Sequence, residues 1–214
     1  MKYEIIPSIL VENLDDFKER IEICEDFAET VQWDIMDGQF VEQMTFSDLQ
    51  KMKEVDTVLS IEAHLMVEHP EEILNDLAKA GVDRVIFHIE AVDDIEDLLN
   101  RMDDYDFEKA IAINPETELD EIPDILDRLD MVLIMTVVPG AGGQPFISSQ
   151  LDKVKALRSR YPQLSISVDG GIDTTTIKLA KDAGANCFSV GTAIFESPDP
   201  ANAFEVLKTM ITSS

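Results

Sequence analysis

Short runs of apolar or alternating residues recur along the chain at 3–9, 31–36, 58–67, 84–89, 110–113, 131–137, 165–168 and 187–190. Several are almost wholly apolar, the pattern of strands covered on both faces. Between them, at 14–27, 70–80, 95–102, 118–129, 149–160, 174–183 and 201–210, apolar residues recur three and four apart, as in helices that bury one side. The connection at 46–55 is the shortest helix candidate. Strict alternation of strand and helix predicts a parallel sheet, and eight such units in 214 residues match a closed (β/α)8 barrel, the TIM barrel, as one α/β domain over 1–214. A doubly wound open sheet is the alternative. No internal repeat, linker or low-complexity stretch interrupts the series.

In such a barrel the chemistry sits at the C-terminal ends of the strands. The two-residue period of a strand places Gln32, Asp34 and Met36 on one face, with Asp37 and Gly38 opening the loop; it groups Glu62, His64 and Met66, and likewise Ser165, Ser167 and Asp169. Asp34, His64 and Asp169 are thereby expected to converge on one mouth from strands two, three and seven. Taken singly each has a plain structural explanation, since a strand-end aspartate often caps its loop and a lone histidine is often a hydrogen-bonded core residue. Convergence beside a glycine-rich loop favours function. His88 and Glu90 end strand four as secondary candidates, His69 before Pro70 is expected to face solvent, and Met36 and Met66 are read as packing.

That glycine-rich loop follows strand six, where Pro139-Gly140-Ala141-Gly142-Gly143-Gln144 lets backbone N–H groups approach an anion, with a helix from about residue 148 expected to add its positive end. Gly170-Gly171 after strand seven and Gly191-Thr192 after strand eight extend this phosphate cradle, because the loops after strands seven and eight form the recurrent phosphate site of the barrel.

Charge sharpens this picture. Seventeen basic against 44 acidic residues give a net charge of −27, which leaves no basic stripe to replace counterions on nucleic acid. The excess falls in solvated helical faces such as Asp93-Asp94-Ile95-Glu96-Asp97, and a salty interior and ordinary acidity explain it equally well. An anionic substrate therefore gets little long-range attraction, and local dipoles must hold it. No segment has the length and apolarity of a membrane span or a signal sequence, so a cytoplasmic protein is expected. Cys24 and Cys187, without metal-type spacing, read as buried reduced thiols.

Seven segments, taken in order, resemble the ribulose-phosphate 3-epimerase family over essentially the whole chain: Pro7-Ser8-Ile9-Leu10, the run Trp33 to Val41, Ala63 to Val67, Phe87 to Ala91, Met135 to Phe146, Val168 to Gly171, and Gly191 to Phe195. The resemblance implies the barrel already inferred and interconversion of D-ribulose 5-phosphate and D-xylulose 5-phosphate in the pentose phosphate pathway. It implies a two-base proton transfer by Asp34 and Asp169 at the carbon next to the ketone. It also implies a divalent cation of the zinc, iron or manganese type at Asp34, His64 and Asp169, stabilising an enediolate. Ser8 and His64 would meet the substrate, and Gly140, Ala141, Gly142, Gly143, Gly170, Gly171, Gly191 and Thr192 its phosphate. The implied partner is a small sugar phosphate, without nucleic acid or membrane, and self-association into a homo-oligomer stays open.

The sequence departs from the family pattern at Gln32, where the family places a histidine ligand. An amide oxygen there is a weaker, harder ligand than imidazole, so the metal site is expected to be weak or lost. The loop reads Val41-Glu42-Gln43-Met44 where proline and asparagine are usual, and Ala141 replaces a bulky aromatic, which suggests a more open lid. Two classes of function follow: an epimerase with a weaker or different metal, or a relative that binds or isomerises another sugar phosphate.

Overall fold

In a computed structural model, residues 2–212 are described. The strands β1 (Glu4–Ile9), β2 (Thr30–Met36), β3 (Ser60–Met66), β4 (Arg84–His88), β5 (Glu108–Ile113), β6 (Met131–Met135), β7 (Ser165–Asp169) and β8 (Cys187–Val190) pair in parallel in sequence order, and β8 closes onto β1. The connections carry α1 (Leu14–Glu25), α2 (Leu49–Met52), α3 (Leu74–Lys79), α4 (Ile95–Met102), α5 (Leu151–Arg160), α6 (Thr176–Ala183), α7 (Thr192–Phe195) and α8 (Pro200–Thr212). The expected TIM barrel is therefore what forms, and the open-sheet alternative falls. Among the described residues no helix is long and apolar enough to cross a membrane.

Helix α1 shows how the outer layer is specified. Asn13 caps its start by accepting a hydrogen bond from the backbone N–H of Asp16 at 2.9 Å, and Phe17, Ile21 and Cys24 at helical spacing turn inward. Phe17 meets Trp33 with ring centroids 5.4 Å apart, and Trp33 donates its indole hydrogen to the carbonyl of Phe46 at 2.8 Å. This aromatic cluster pins β2 from outside, so that the alternate residues Gln32, Asp34 and Met36 face the barrel interior. The interior itself is lined by Ile6, Ile86, Ala110, Ala112, Met131, Leu133, Met135, Val137 and Cys187. Both cysteines are free and buried, as expected, and burial pushes each thiol up to about 12.

Two expected helices are corrected. The stretch 118–129 forms only 3-10 turns at Leu119–Glu121 and Leu126–Arg128. Pro123 lies mid-segment, where a proline has no N–H to give and its ring clashes with the preceding turn. Ile125, Leu126 and Leu129 are buried all the same, so a helical spacing of apolar residues packs here without a helix. In the 46–55 connection only the single turn of α2 is helical. Conversely, the short α7, directly after Gly191, is an element the hydrophobic pattern did not announce.

Candidate functional site

The register of the barrel assembles the candidate residues. Ser8 pairs with Gln32, Asp34 with His64, and Asp169 with both Met135 and Ser189, which sets these side chains at one height on the inner wall. Ser8, Asp34, His64, Asp169 and Ser189 open into a cavity of about 690 Å³ at the C-terminal mouth, with Gln32 buried in the wall behind them; Met36, Met66 and Met135 and the loops carrying Gly140 to Gly143, Gly170-Gly171 and Gly191-Thr192 line it too.

Asp34, His64 and Asp169 each turn one ligand atom to a common point, and these atoms lie within 4.8 Å of one another. His64 Nδ1 is 3.0 Å from Asp34 Oδ1 and 3.4 Å from Asp169 Oδ2. The remaining corner belongs to Gln32, fully buried, whose Nε2 donates to Asp34 Oδ1 at 2.8 Å and to Asp169 Oδ2 at 2.7 Å and sits 3.4 Å from His64 Nδ1. Its Oε1 accepts from the Ser189 hydroxyl at 2.7 Å. The amide orientation follows from its neighbours: carboxylates only accept, so the NH2 faces them. This corrects the expectation of an inward neutral oxygen, for as oriented Gln32 offers hydrogens and no lone pair. Three residues thus fit a divalent cation by donor chemistry and spacing, and the fourth corner does not.

Behind His64 runs a chain of buried rings. His64 Nε2 is 2.9 Å from His88 Nε2, and His88 Nδ1 is 3.4 Å from Glu90 Oε2. Burial holds His88 down at about 4, with the charge of His64 adding to the effect, so neutral His88 accepts from His64 and points its own N–H at Glu90. Burial opposes the charged form of His64 too, but hydrogen bonds to Asp169 and Asp34 outweigh it and raise His64 to about 9. Burial and the charge of Asp169 push Asp34 up as well. Asp34 and His64 compete for one proton, and His64, facing two carboxylates at once, keeps it. The rings fix the tilt of His64 as an outer shell fixes a metal ligand.

Hydroxyls complete the setting. Ser8 donates to Asp34 Oδ2 at 2.6 Å; Thr45 donates to the carbonyl of Asp34 at 2.7 Å; Thr136 donates to the carbonyls of Asp169 at 2.8 Å and Gly170 at 2.6 Å. Gly170 has φ +109°, and a Cβ there would stand 2.3 Å from Val137 Cγ2, so the turn after Asp169 tolerates no side chain. Gln144 ties the strand-six loop together through the carbonyls of Val138 at 2.6 Å and Ala141 at 2.9 Å.

Ser8, Asp34, His64, Asp169 and the three glycine loops therefore line one cavity, and His88 and Glu90 stand behind His64. Asp37 takes the plain structural role, accepting from the backbone of Gln39, Phe40 and Glu68, and His69 is exposed beside Glu71. One expectation fails: the segment Ser148–Gln150 before α5 does not line the cavity, whose wall on that side stops at Phe146, because Gln144 to Ile147 lead the chain away first. Two residues were missed. Ser189 was legible as the polar member of the inward pair Cys187 and Ser189 on β8. Arg20, among the described residues the one Lys or Arg lining the cavity, left no signal, since it reaches in from the flank of α1.

Comparisons with known proteins bear on this geometry. Residues 4–195 match the family model described as the ribulose-phosphate 3 epimerase family. Curated proteins named ribulose-phosphate 3-epimerase resemble the chain: that of Candida glabrata is 35% identical, covering 95% of this chain and 90% of the relative, and that of Schizosaccharomyces pombe 34%, covering 97% and 93%. The protein of the same name from Escherichia coli K12 is 34% identical over 80% of this chain and 79% of its own. Among solved structures, 3-hexulose-6-phosphate synthase superposes with TM-score 0.65 at 18% identity over 99% of this chain and all of that one. Thiamine phosphate pyrophosphorylase from Pyrococcus furiosus gives 0.65 at 13% identity, covering 97% and 94%; at these identities only the fold is shared.

Proposed function

We infer that this chain, which belongs to the ribulose-phosphate 3-epimerase family, is an isomerase that interconverts D-ribulose 5-phosphate and D-xylulose 5-phosphate, with Asp34 and Asp169 as the two bases. One observation carries the assignment of bases: carboxylates on β2 and β7 meet at one point of a cavity whose far wall is glycine loops. A substrate whose phosphate rests on the backbone of Gly142, Gly143, Gly171, Gly191 and Thr192 presents its carbonyl end to that point.

One aspartate, as carboxylate, takes the proton from carbon 3, next to the ketone, leaving an enediolate; the other, as carboxylic acid, gives its own proton to the opposite face, so the pair ends with acid and base exchanged and the roles reverse in the other direction. Burial and the neighbouring Asp169 raise the affinity of Asp34 for a proton, which fits it to abstract one from carbon. Ser8 holds Oδ2 of that carboxylate, and the rings of His64 and His88 fix its other neighbour. Met36, Met66 and Met135 keep that end of the cavity weakly polar. Asp34, His64 and Asp169 would hold a divalent cation, which when bound supplies positive charge against the charge developing on the substrate oxygens.

The test combines metal analysis of protein purified without chelator with epimerase assays in added manganese and zinc. Conversion accompanied by uptake of solvent deuterium at carbon 3 is the expected result. Conversion without exchange, or none under any metal, would overturn the two-base scheme.

A further inference from the structure

We propose that Gln32 is a reversible ligand: its carboxamide turns its NH2 to Asp34 and Asp169 when the site is empty and rotates half a turn to give Oε1 to a divalent cation, with the Ser189 hydroxyl switching from donor to acceptor. The proposal takes the presence of a cation from the epimerase reading but concerns only how this chain admits it.

Four polar atoms bound one small volume: the distances from Gln32 Nε2 and His64 Nδ1 to each other and to the two carboxylate oxygens run from 2.7 Å to 3.4 Å, and the ligand atoms of Asp34 and Asp169 lie within 4.8 Å of each other. Ligands bound at about 2.0–2.2 Å to a single ion are spaced in this way. Two of the four atoms, the carboxylate oxygens of Asp34 and Asp169, are already lone-pair donors, and His64 Nδ1 is one whenever it carries no proton. The fourth belongs to a carboxamide, the one group here that offers hydrogens from one end and lone pairs from the other within the same outline.

Without a cation, an inward amide oxygen would face two carboxylates, acceptor against acceptor, inside a wall where Gln32 is fully buried. The NH2 instead makes hydrogen bonds to both charges and stands in for the missing positive charge. With a cation the preference reverses, because the ion repels the NH2 and attracts the oxygen. Ser189 makes the reversal affordable in hydrogen bonds, since a hydroxyl donates to Oε1 in one state and accepts from Nε2 in the other. Ser167, two residues below Asp169 on the same inner face of β7, has a buried hydroxyl without a hydrogen-bond partner among the described residues, so the wall beneath the site has spare capacity.

The cation then meets three oxygens and one imidazole, a harder set than a two-histidine site, and Gln32 shifts selection from zinc toward manganese.

Binding of Mn2+ and Zn2+ is measured on the full chain by calorimetry, with electron paramagnetic resonance for Mn2+, and the Gln32 side-chain 15N resonances are followed during titration with diamagnetic Zn2+. Three results are expected. Gln32→Leu weakens Mn2+ binding at least tenfold; Gln32→His strengthens Zn2+ more than Mn2+, by the 10–100-fold that ligand-shell changes produce; and the Gln32 amide pair shifts in step with occupancy. If Gln32→Leu binds Mn2+ as tightly as wild type or tighter, the amide is a plug rather than a ligand and the proposal falls. Should the leucine variant not fold, Gln32→Glu, which keeps the oxygen and removes the hydrogens, must bind Mn2+ more tightly than wild type, and weaker binding overturns the proposal. An epimerase assay on the same samples separates the claims: turnover with an unmoved amide defeats the reversible ligand alone, whereas a moving amide in a protein that never turns over defeats the epimerase reading alone.

Discussion

Strand β3 carries two buried titratable residues on its inner face, Glu62 toward the closed end of the barrel and His64 toward the mouth, and they are treated oppositely. At the closed end Glu62 is fully buried and meets Arg84 at 2.5 Å, and Arg84 continues to Glu108 at 2.5 Å. At the mouth His64 is as deeply buried but faces two carboxylates, Asp34 and Asp169, neither of which has a Lys or Arg partner among the described residues. The closed end is an ion pair that only has to exist. The open end keeps two like charges within reach of one point and balances them with a histidine proton and an amide. A fold spends stability in that way where charge is to be rearranged rather than merely neutralised.

The largest effect expected from this contrast is on turnover. Asp169→Asn removes one base and relieves the like charge on Asp34, so kcat should fall by about 10²–10⁴-fold while the protein melts no lower than wild type. Solvent-deuterium exchange at carbon 3 and a thermal melt on the same preparation check both halves. Near-normal exchange would mean that Asp169 is structural and that the two ends of the barrel are alike after all.

Next comes the mirror experiment at the closed end. Arg84→Met leaves Glu62 buried opposite nothing, which should cost about 3–5 kcal/mol in urea unfolding at pH 8 while kcat of the folded fraction is unchanged. A loss of kcat with intact stability would place the closed end in the chemistry.

A pH experiment then measures how uneasy even the settled pair is. Burial pushes Glu62 up to about 7 despite the opposing charge and hydrogen bond of Arg84. Its folded value lies above the ordinary 4.5, so the folded protein holds the proton more tightly. The associated stability is full below about pH 4.5 and is lost as pH rises through about 7, by roughly 3 kcal/mol in total. The difference between wild type and Glu62→Gln, followed from pH 5 to 8, should carry that slope. Parallel stability curves would show that Glu62 titrates in the ordinary range.

What the sequence disclosed follows the same division. A strand period of two is rigid, so the convergence of Asp34, His64 and Asp169 was legible from spacing alone, as was the closed barrel from its alternation. The amide orientation of Gln32 was not, because it is set by Asp34 together with Asp169, 137 residues away on a strand that reaches this wall only when the barrel closes. The segment 118–129 misled because its apolar spacing serves burial without the helix that Pro123 forbids. Arg20 was invisible for a third reason: α1 is long enough for one residue to serve the solvent flank, the packing face or the cavity rim, and only the fold chooses.

Arg20 also supplies the mildest test, as the one Lys or Arg that lines the mouth among the described residues. Its Nη1 reaches the carbonyl of Phe195 at 3.4 Å and its guanidinium lies 4.5 Å from the Phe195 ring centroid, beside the loop of Gly191 and Thr192. From there its charge acts on whatever anion the glycine loops hold, at a distance and partly through solvent. The proton-transfer groups are untouched, so Arg20→Gln should leave kcat alone and raise KM by about three- to tenfold at low salt, as expected of a single half-screened charge. In about 0.5 M salt the wild type should drift toward the variant, because the Debye length there shrinks to a few ångströms. A KM that moves by a hundredfold would make Arg20 the principal phosphate ligand and reduce the backbone cradle to an accessory. An unchanged KM at every salt concentration would leave the phosphate wholly to the glycine loops, held by backbone N–H groups without help from a guanidinium.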